Sequence, residues 1–303
     1  MIKSTVFVLY TGGTFGMRPS ENGSLSPSSW DEIISYLPSH KDRNFFEAFD
    51  GVEFTFTALE DVVDSSLINP TTWKQIAQRI EDVYHQYDGF IIIHGTDTLA
   101  YTASALSFVF RNLCKPVVLT GAQLSIFHPR TDGVVNLSNA IYIAAYKAFN
   151  LPRIDEVLIC FNDDLIRGNR AVKSSTNDFE GFSSPNFPNI GSLEQEIKIN
   201  TELLLENTCV EGLELATNFS DKIVNVTVFP GYNVTILNEL VIADRLDGIV
   251  LKTFGSGNLP TSADWQTLIE NCAKHNVIIL ATTQCPNGSI EIGRYEASNV
   301  LQN

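Results

Sequence analysis

The sequence predicts an α/β protein with a larger N-terminal domain, built on a doubly wound, mostly parallel sheet with helices on both faces, followed by a smaller C-terminal α/β domain. Three observations carry this expectation. Apolar runs of strand length alternate with longer segments of helical period, a stretch rich in Ser, Asn, Pro and Gly interrupts the alternation, and the alternation then resumes. With 303 residues, 44% hydrophobic and 18% charged, the chain has enough apolar material for two cores and is neither disordered nor fibrous.

The elements follow in order. TVFVLY (5–10) and VEFTFTAL (52–59) read as strands, TWKQIAQRIEDVYHQY (72–87) as a helix and GFIIIHG (89–95) as a strand. TLAYTASALSFVFRNL (98–113) is helical, KPVVLTG (115–121) a strand, DGVVNLSNAIYIAAYKAF (132–149) helical and EVLICF (156–161) a strand. Runs such as FIII lack polar alternation, as expected for strands covered on both faces. Periodicity breaks down between Ser174 and Gly212, so the N-terminal domain is assigned to 1–193, a linker to 194–212 and the C-terminal domain to 213–303. There, KIVNVTVF (222–229), LDGIVLKTF (246–254) and NVIILAT (276–282) read as strands and SADWQTLIENCAKH (262–275) as a helix.

Charge narrows the partners. Twenty basic against thirty-five acidic side chains give a net charge of −15, which repels phosphate backbones and anionic lipid, so neither nucleic acid nor a membrane is expected. No apolar stretch approaches the ~20 residues of a bilayer span. Cys114, Cys160, Cys209, Cys272 and Cys285 are odd in number and show no CxxC spacing, so free, mostly buried thiols in a reducing compartment are expected. The N-terminal apolar run stops at Tyr10 without a cleavage motif and reads as a core strand, which points to the cytoplasm. His40, His85, His94, His128 and His275 show no metal-ligand spacing; a P-loop, a dinucleotide fingerprint and a Gly-x-Ser-x-Gly elbow are absent, so no metal or cofactor is expected.

Two strand ends carry hydroxyls. Thr11-Gly12-Gly13-Thr14 closes the first strand, where paired glycines turn the backbone and aim peptide N–H groups at a ligand; taken alone it reads first as an ordinary glycine turn. His94-Gly95-Thr96-Asp97-Thr98 closes another strand and opens a helix, so Asp97 reads either as a cap or as part of a crevice shared with Thr14. A threonine hydroxyl needs a neighbouring base, and Lys173 is a candidate if drawn into a desolvated site; spacing alone reads it as a surface lysine. Asp64 and Ser65 lie in a polar break, either a helix-entry turn or a clamp for the ammonium and carboxylate of an amino acid.

Taken together, TGGT (11–14), HGTDT (94–98) and RGNRAVKSS (167–175) make the chain resemble the bacterial-type L-asparaginase family, closest to its cytosolic type I branch, with the animal asparaginase domain also similar. DSS (64–66), PVVLTGAQ (116–123), SPNFP (184–188), FPG (229–231) and FGSGNLP (254–260) extend the resemblance nearly end to end. It implies that Thr14 attacks a side-chain amide to form an acyl-enzyme. Thr96, Asp97 and Lys173 would relay protons, Gly13 and Thr96 would supply oxyanion donors, and Asp64 and Ser65 would read the amino acid. L-asparagine would be the substrate and L-glutamine a secondary one, in a homodimer or homotetramer where a neighbour's Asn258 completes the site. Residues 15–29 would form a flap, and Lys252, Thr283 and Cys285 an effector site.

Three departures accompany the resemblance: Ser24 stands where many relatives carry a tyrosine, Lys252 stands where type I enzymes carry arginine, and the C-terminal domain looks truncated, leaving apolar faces without cover. A catalytically silent amino-acid-binding homologue and an ammonia-generating amidotransferase subunit are the alternatives.

Overall fold

The computed structural model describes residues 3–19, 25–39, 44–206, 209, 212–291, 293 and 298. The chain divides into two compact units, 1–217 and 218–303.

In the first unit, β1 (Ser4–Gly12) leads through a hairpin of β2 (Met17–Pro19) and β3 (Leu25–Pro27) to α1 (Trp30–Tyr36) and the long strand β4 (Val52–Val63). Helix α2 (Pro70–Val83), β5 (Gly89–Ile93), α3 (Leu99–Val109) and the short β6 (Phe110–Arg111) follow. Next come β7 (Val117–Thr120), α4 (Gly133–Ala144), α5 (Tyr146–Phe149), β8 (Val157–Phe161) and β9 (Asp164–Arg167). Short strands β10 (Val172–Lys173), β11 (Phe182–Ser183), β12 (Gly191–Leu193), β13 (Ile197–Ile199) and β14 (Glu214–Leu215) complete the unit.

The main sheet has eight strands in the order β13-β12-β9-β8-β7-β5-β1-β4. Strands β4, β1, β5, β7 and β8 are parallel, as the periodicity predicts, whereas the successive pairs β8–β9, β9–β12 and β12–β13 are antiparallel, so the sheet is mixed. The reversal has a local cause. Asn162 adopts φ 53°, and the two-residue turn it opens folds β9 straight back on β8. Residues 194–199, assigned by composition to a linker, close a β12–β13 hairpin on this sheet edge.

Both faces of the parallel strands are covered. Val6, Val8, Tyr10, Ile91 and Ile93 pack with Leu137, Ala140 and Ile141 of α4, while the alternate residues Leu9, Phe90 and Ile92 are buried outside that cluster, on the opposite face. Local signals start the helices. Ser29 and Glu32 form a reciprocal capping box before α1, and Asn69 caps α2 with Pro70 in its first turn. The cysteine expectation is corrected here: Cys114 and Cys209 are joined as a disulfide, and Cys160, Cys272 and Cys285 are free. The pairing follows from the chain's return past β6, where β14 pairs with Phe110 and Arg111.

The second unit is a three-stranded parallel sheet, β15 (Ile223–Thr227), β16 (Gly248–Thr253) and β17 (Ile278–Thr283), with α6 (Val234–Ile242) and α7 (Ala263–Lys274) in the crossovers. Its core gathers Val226, Ile249, Leu251, Leu237, Trp265 and Leu268. The opposite sheet face leaves Ile223, Ile278 and Leu280 48%, 74% and 62% exposed. Among the described residues, no helix is long and apolar enough to cross a membrane.

Candidate active site

The carboxyl ends of β1, β5 and β7 meet through glycine. A Cβ on Gly13, whose φ is +87°, would fall 2.1 Å from Gly95 Cα, and one on Gly121 would fall 2.3 Å from the His94 carbonyl oxygen. Side chains in place of these hydrogens would force the strand ends apart. Thr11 Oγ1 donates to the Ile93 carbonyl at 3.0 Å, and Thr120 Oγ1 to Cys160 at 2.8 Å, so hydroxyls tie neighbouring strands where the ladder ends. Thr14 opens a single 3-10 turn immediately after Gly13 and is partly exposed, with Phe15 wholly buried beneath it.

Lys173 is not a solvated surface lysine. The β10–β11 pair holds its backbone, and its Nζ donates to Thr96 Oγ1 at 2.9 Å and to Asp97 Oδ1 at 2.6 Å, its side chain only 17% exposed against 66% for Asp97. Thr96 is buried and donates its own proton to Gln123 Oε1 at 3.3 Å. Gln123 Nε2 in turn donates to the carbonyls of Asp178 at 2.9 Å and Ser175 at 3.4 Å. The Thr96 hydroxyl thus receives from a cation and gives to a long, weak bond that a substrate or water can replace. Asp132 accepts from Gln123 N and Leu124 N, both at 2.9 Å, and fixes this loop. Gln123 escaped the sequence reading as a site residue, although its place directly after the strand VVLT in TGAQ is the same strand-end signal that marks Thr14 and Thr96.

Ser65 and Asp64 come to the same strand end. A Cβ on Gly95 would lie 2.6 Å from Ser65 Oγ, and Thr98 Oγ1 donates to the Ser65 carbonyl at 2.7 Å. Asp64 accepts from Ser66 N at 2.8 Å, and this backbone N–H holds its carboxyl below the ordinary carboxylate range. An exposed anion therefore stands beside the Ser65 turn at neutral pH.

Behind Thr96, His94 is fully buried. Its Nδ1 lies 2.8 Å from the Gly95 carbonyl, which only an N–H can satisfy, so Nε2 accepts from Thr102 Oγ1 at 2.9 Å while Trp73 Nε1 donates to that hydroxyl at 3.0 Å. Burial pushes the ring's pKa down to about 4, so it is neutral in this chain of bonds.

The remaining expected residues lie in the second unit. Asn258 closes a turn through its backbone bridge to Phe254, and its Oδ1 is buried without a partner. Lys252, Thr283 and Cys285 gather at one end of the sheet, but register places Lys252 beside Thr282, and Thr283 beside Thr253 on the alternate face. Cys285 N donates to Thr283 Oγ1 at 3.0 Å. Ser24 lies outside the described residues. No group of three or more metal-binding side chains occurs among those described.

Strand ends of an open α/β sheet that carry hydroxyls near a lysine–threonine–aspartate set are an arrangement able to activate a hydroxyl for attack, as in hydrolases with a nucleophilic hydroxyl. Comparison with known proteins gives the family. "Asparaginase, N-terminal" matches residues 5–205 and "Glutaminase/Asparaginase C-terminal domain" matches 222–303; the chain belongs to the asparaginase family. It is 35% identical to L-asparaginase 1 of Escherichia coli K12, over 99% of this chain and 86% of that protein. It is 36% identical to the 60 kDa lysophospholipase of Mus musculus, over 94% of this chain but 52% of that longer protein. The solved L-asparaginase I of Vibrio cholerae superposes with a TM-score of 0.85 at 32% identity, covering 98% of this chain and 86% of that one.

Proposed function

We propose that this chain is an L-asparaginase, hydrolysing L-asparagine to L-aspartate and ammonia in the cytoplasm, with L-glutamine as a lesser substrate. The observation that carries the reading is Lys173 held between Thr96 and Asp97 on a strand end whose backbone touches the Thr14 turn. Thr14 Oγ1 forms the bond to the side-chain amide carbon; its proton moves to Thr96, whose own proton passes to Lys173 as Lys173 gives one to the amide nitrogen, so that the C–N bond breaks and ammonia leaves. Water then cleaves the acyl ester and restores Thr14. Backbone N–H groups at the Gly13 and Thr96 turns stabilise the oxyanion. Asp64 and Ser65 read the substrate's ammonium and carboxylate.

The reading extends to a homo-oligomer in which a neighbour's Asn258 completes the site, and to effector binding at Lys252, Thr283 and Cys285. Sigmoidal velocity against asparagine is the expected sign of the latter, and a hyperbolic curve in the assembled oligomer removes it.

Ammonia release tests the core of the proposal. Thr14→Ala is expected to lose at least about 10³-fold in kcat, the scale of removing a nucleophile, and Lys173→Met a comparable amount, with both variants folded by circular dichroism. Wild-type activity in Thr14→Ala, or no release by an assembled wild type, overturns it. Lysophosphatidylcholine belongs in the same assay because of the similarity to the mouse protein; no turnover of it is expected.

A further inference from the structure

The segment after Thr14 is gripped by one tripeptide. Ile126 N donates to the Phe15 carbonyl at 3.0 Å, Ser125 Oγ donates to the Met17 carbonyl in a short contact and lies 3.4 Å from that of Phe15, and Phe127 N donates back to Ser125 Oγ at 3.3 Å. The grip continues through Arg18, whose guanidinium stands 4.5 Å above the Phe127 ring and 5.1 Å from that of Tyr36; the two rings meet edge to face at 4.5 Å. Ser28 N donates to the Gly16 carbonyl at 2.9 Å from the other arm of the hairpin. Opposite the tripeptide, Gly16 leaves no space, since a Cβ there would lie 2.4 Å from both Tyr10 Oη and Ile33 Cδ1.

The same loop carries Gln123, which holds Thr96, so one stretch of backbone registers the Thr14 turn against the relay threonine. Arg18 is the member of this set that folding does not demand. It is 43% exposed, and its ion pair with Glu32, at 3.7 Å and half solvated, is of the kind that adds little stability. Ordering a long side chain over two rings still costs entropy, and what that ordering achieves is to fix the stem of the hairpin.

We propose that Arg18 is a positioning residue: with Ser125 and Phe127 it clasps residues 15–18 and so sets Thr14 against the Thr96 strand end. The inference rests on the reading of Thr14 as nucleophile. It acts through geometry, because a displacement of about 1 Å in a reacting group costs on the order of 10²-fold in rate.

The experiment compares wild type, Arg18→Met, which keeps the stem length without the cation, and Arg18→Lys, which keeps a cation able to sit over a ring. Arg18→Met is expected to lose about 10-fold in kcat for L-asparagine, part of that positional cost, with KM and melting temperature close to wild type and with Arg18→Lys recovering most of the loss. In hydrogen–deuterium exchange, amides of residues 14–18 are expected to exchange faster in Arg18→Met while those of β16 do not change. Wild-type kcat in Arg18→Met, a kcat loss that only follows a fall in melting temperature, failure of Arg18→Lys to recover activity, or unchanged exchange at 14–18 each overturns the clasp. The exchange readout needs no turnover. If wild type releases no ammonia, the asparaginase reading falls on its own and exchange alone decides the clasp.

Discussion

Strands β5 and β17 look alike as sequence and differ as structure. GFIII in β5 is buried at every position, whereas IILATT in β17 alternates and leaves Ile278 and Leu280 in solvent. The first unit closes helices over both sides of its parallel strands; the second covers one side with α6 and α7 and presents an apolar strip on the other. An apolar run therefore signals strand but not the number of faces buried. The candidate site follows the same division. Thr14, Thr96 and Gln123 lie beyond strand ends of the doubly covered sheet, and Lys173, held on the separate β10–β11 pair, bonds to Thr96 there.

The largest effect that separates the two regions is a core truncation. Ile92→Ala is expected to cost about 2–5 kcal/mol in the unfolding of the first unit, because a site packed on both sides cannot collapse onto the cavity. Chemical denaturation followed by probes in each unit checks it, and a cost below about 1 kcal/mol would mean that β5 is less tightly enclosed than it looks. The disulfide comes next. Cys114 and Cys209 span 95 residues, and closing a loop of that order stabilises by roughly 4.7 kcal/mol in the chain-entropy account. Thiol titration of the unfolded, unreduced chain is expected to count the three free cysteines, Cys160, Cys272 and Cys285; a count of five would restore the reduced state that the sequence alone suggests.

Acid separates the regions by a third route. His94 ionises at about 4 in the fold against an ordinary value near 6.5, so between those values the unfolded chain binds a proton that the folded chain refuses. Stability from its neutral form is intact above pH ~6.5 and is lost as pH falls toward 4, by roughly 3 kcal/mol at about 1.4 kcal/mol per pH unit. His94→Gln should flatten this part of the stability–pH curve in the first unit and leave the second unit unaffected. Parallel curves for wild type and variant would show that the ring is already accessible to protons in the fold.

Much of this was legible in the sequence, for physical reasons that also mark the limits. The parallel strands declared themselves because burial on both faces demands unbroken apolar runs, and the glycines of TGGT and HGT because strand ends so close that a Cβ on Gly13 would fall 2.1 Å from Gly95 Cα tolerate no side chain. The antiparallel edge was hidden. It turns on one left-handed residue, Asn162, inside a stretch whose composition reads as loop. Lys173 could be placed near the site only through the family resemblance, since a two-residue strand pair holds it and no periodicity betrays a strand that short. Gln123 lay in a motif already marked as familiar but made no charge and no nucleophile to attract notice. The Cys114–Cys209 bond depends on a return of the chain 95 residues later, which spacing does not reveal.

The smallest expected effect is the most informative about the second unit. Ile278 is 74% exposed on the open face of β17, so Ile278→Ser removes little buried area and is expected to change stability by no more than about 0.5 kcal/mol, the ordinary range for surface sites. Leu251, on the covered face of the neighbouring strand and 1% exposed, supplies the internal contrast: Leu251→Ala is expected to cost several-fold more, about 2–5 kcal/mol. Denaturation of the two variants side by side measures the ratio. A large cost for Ile278→Ser in the assembled protein, approaching that of Leu251→Ala, would mean that the apolar strip of β17 is buried there as β5 is, and the difference between the two sheets would disappear on assembly.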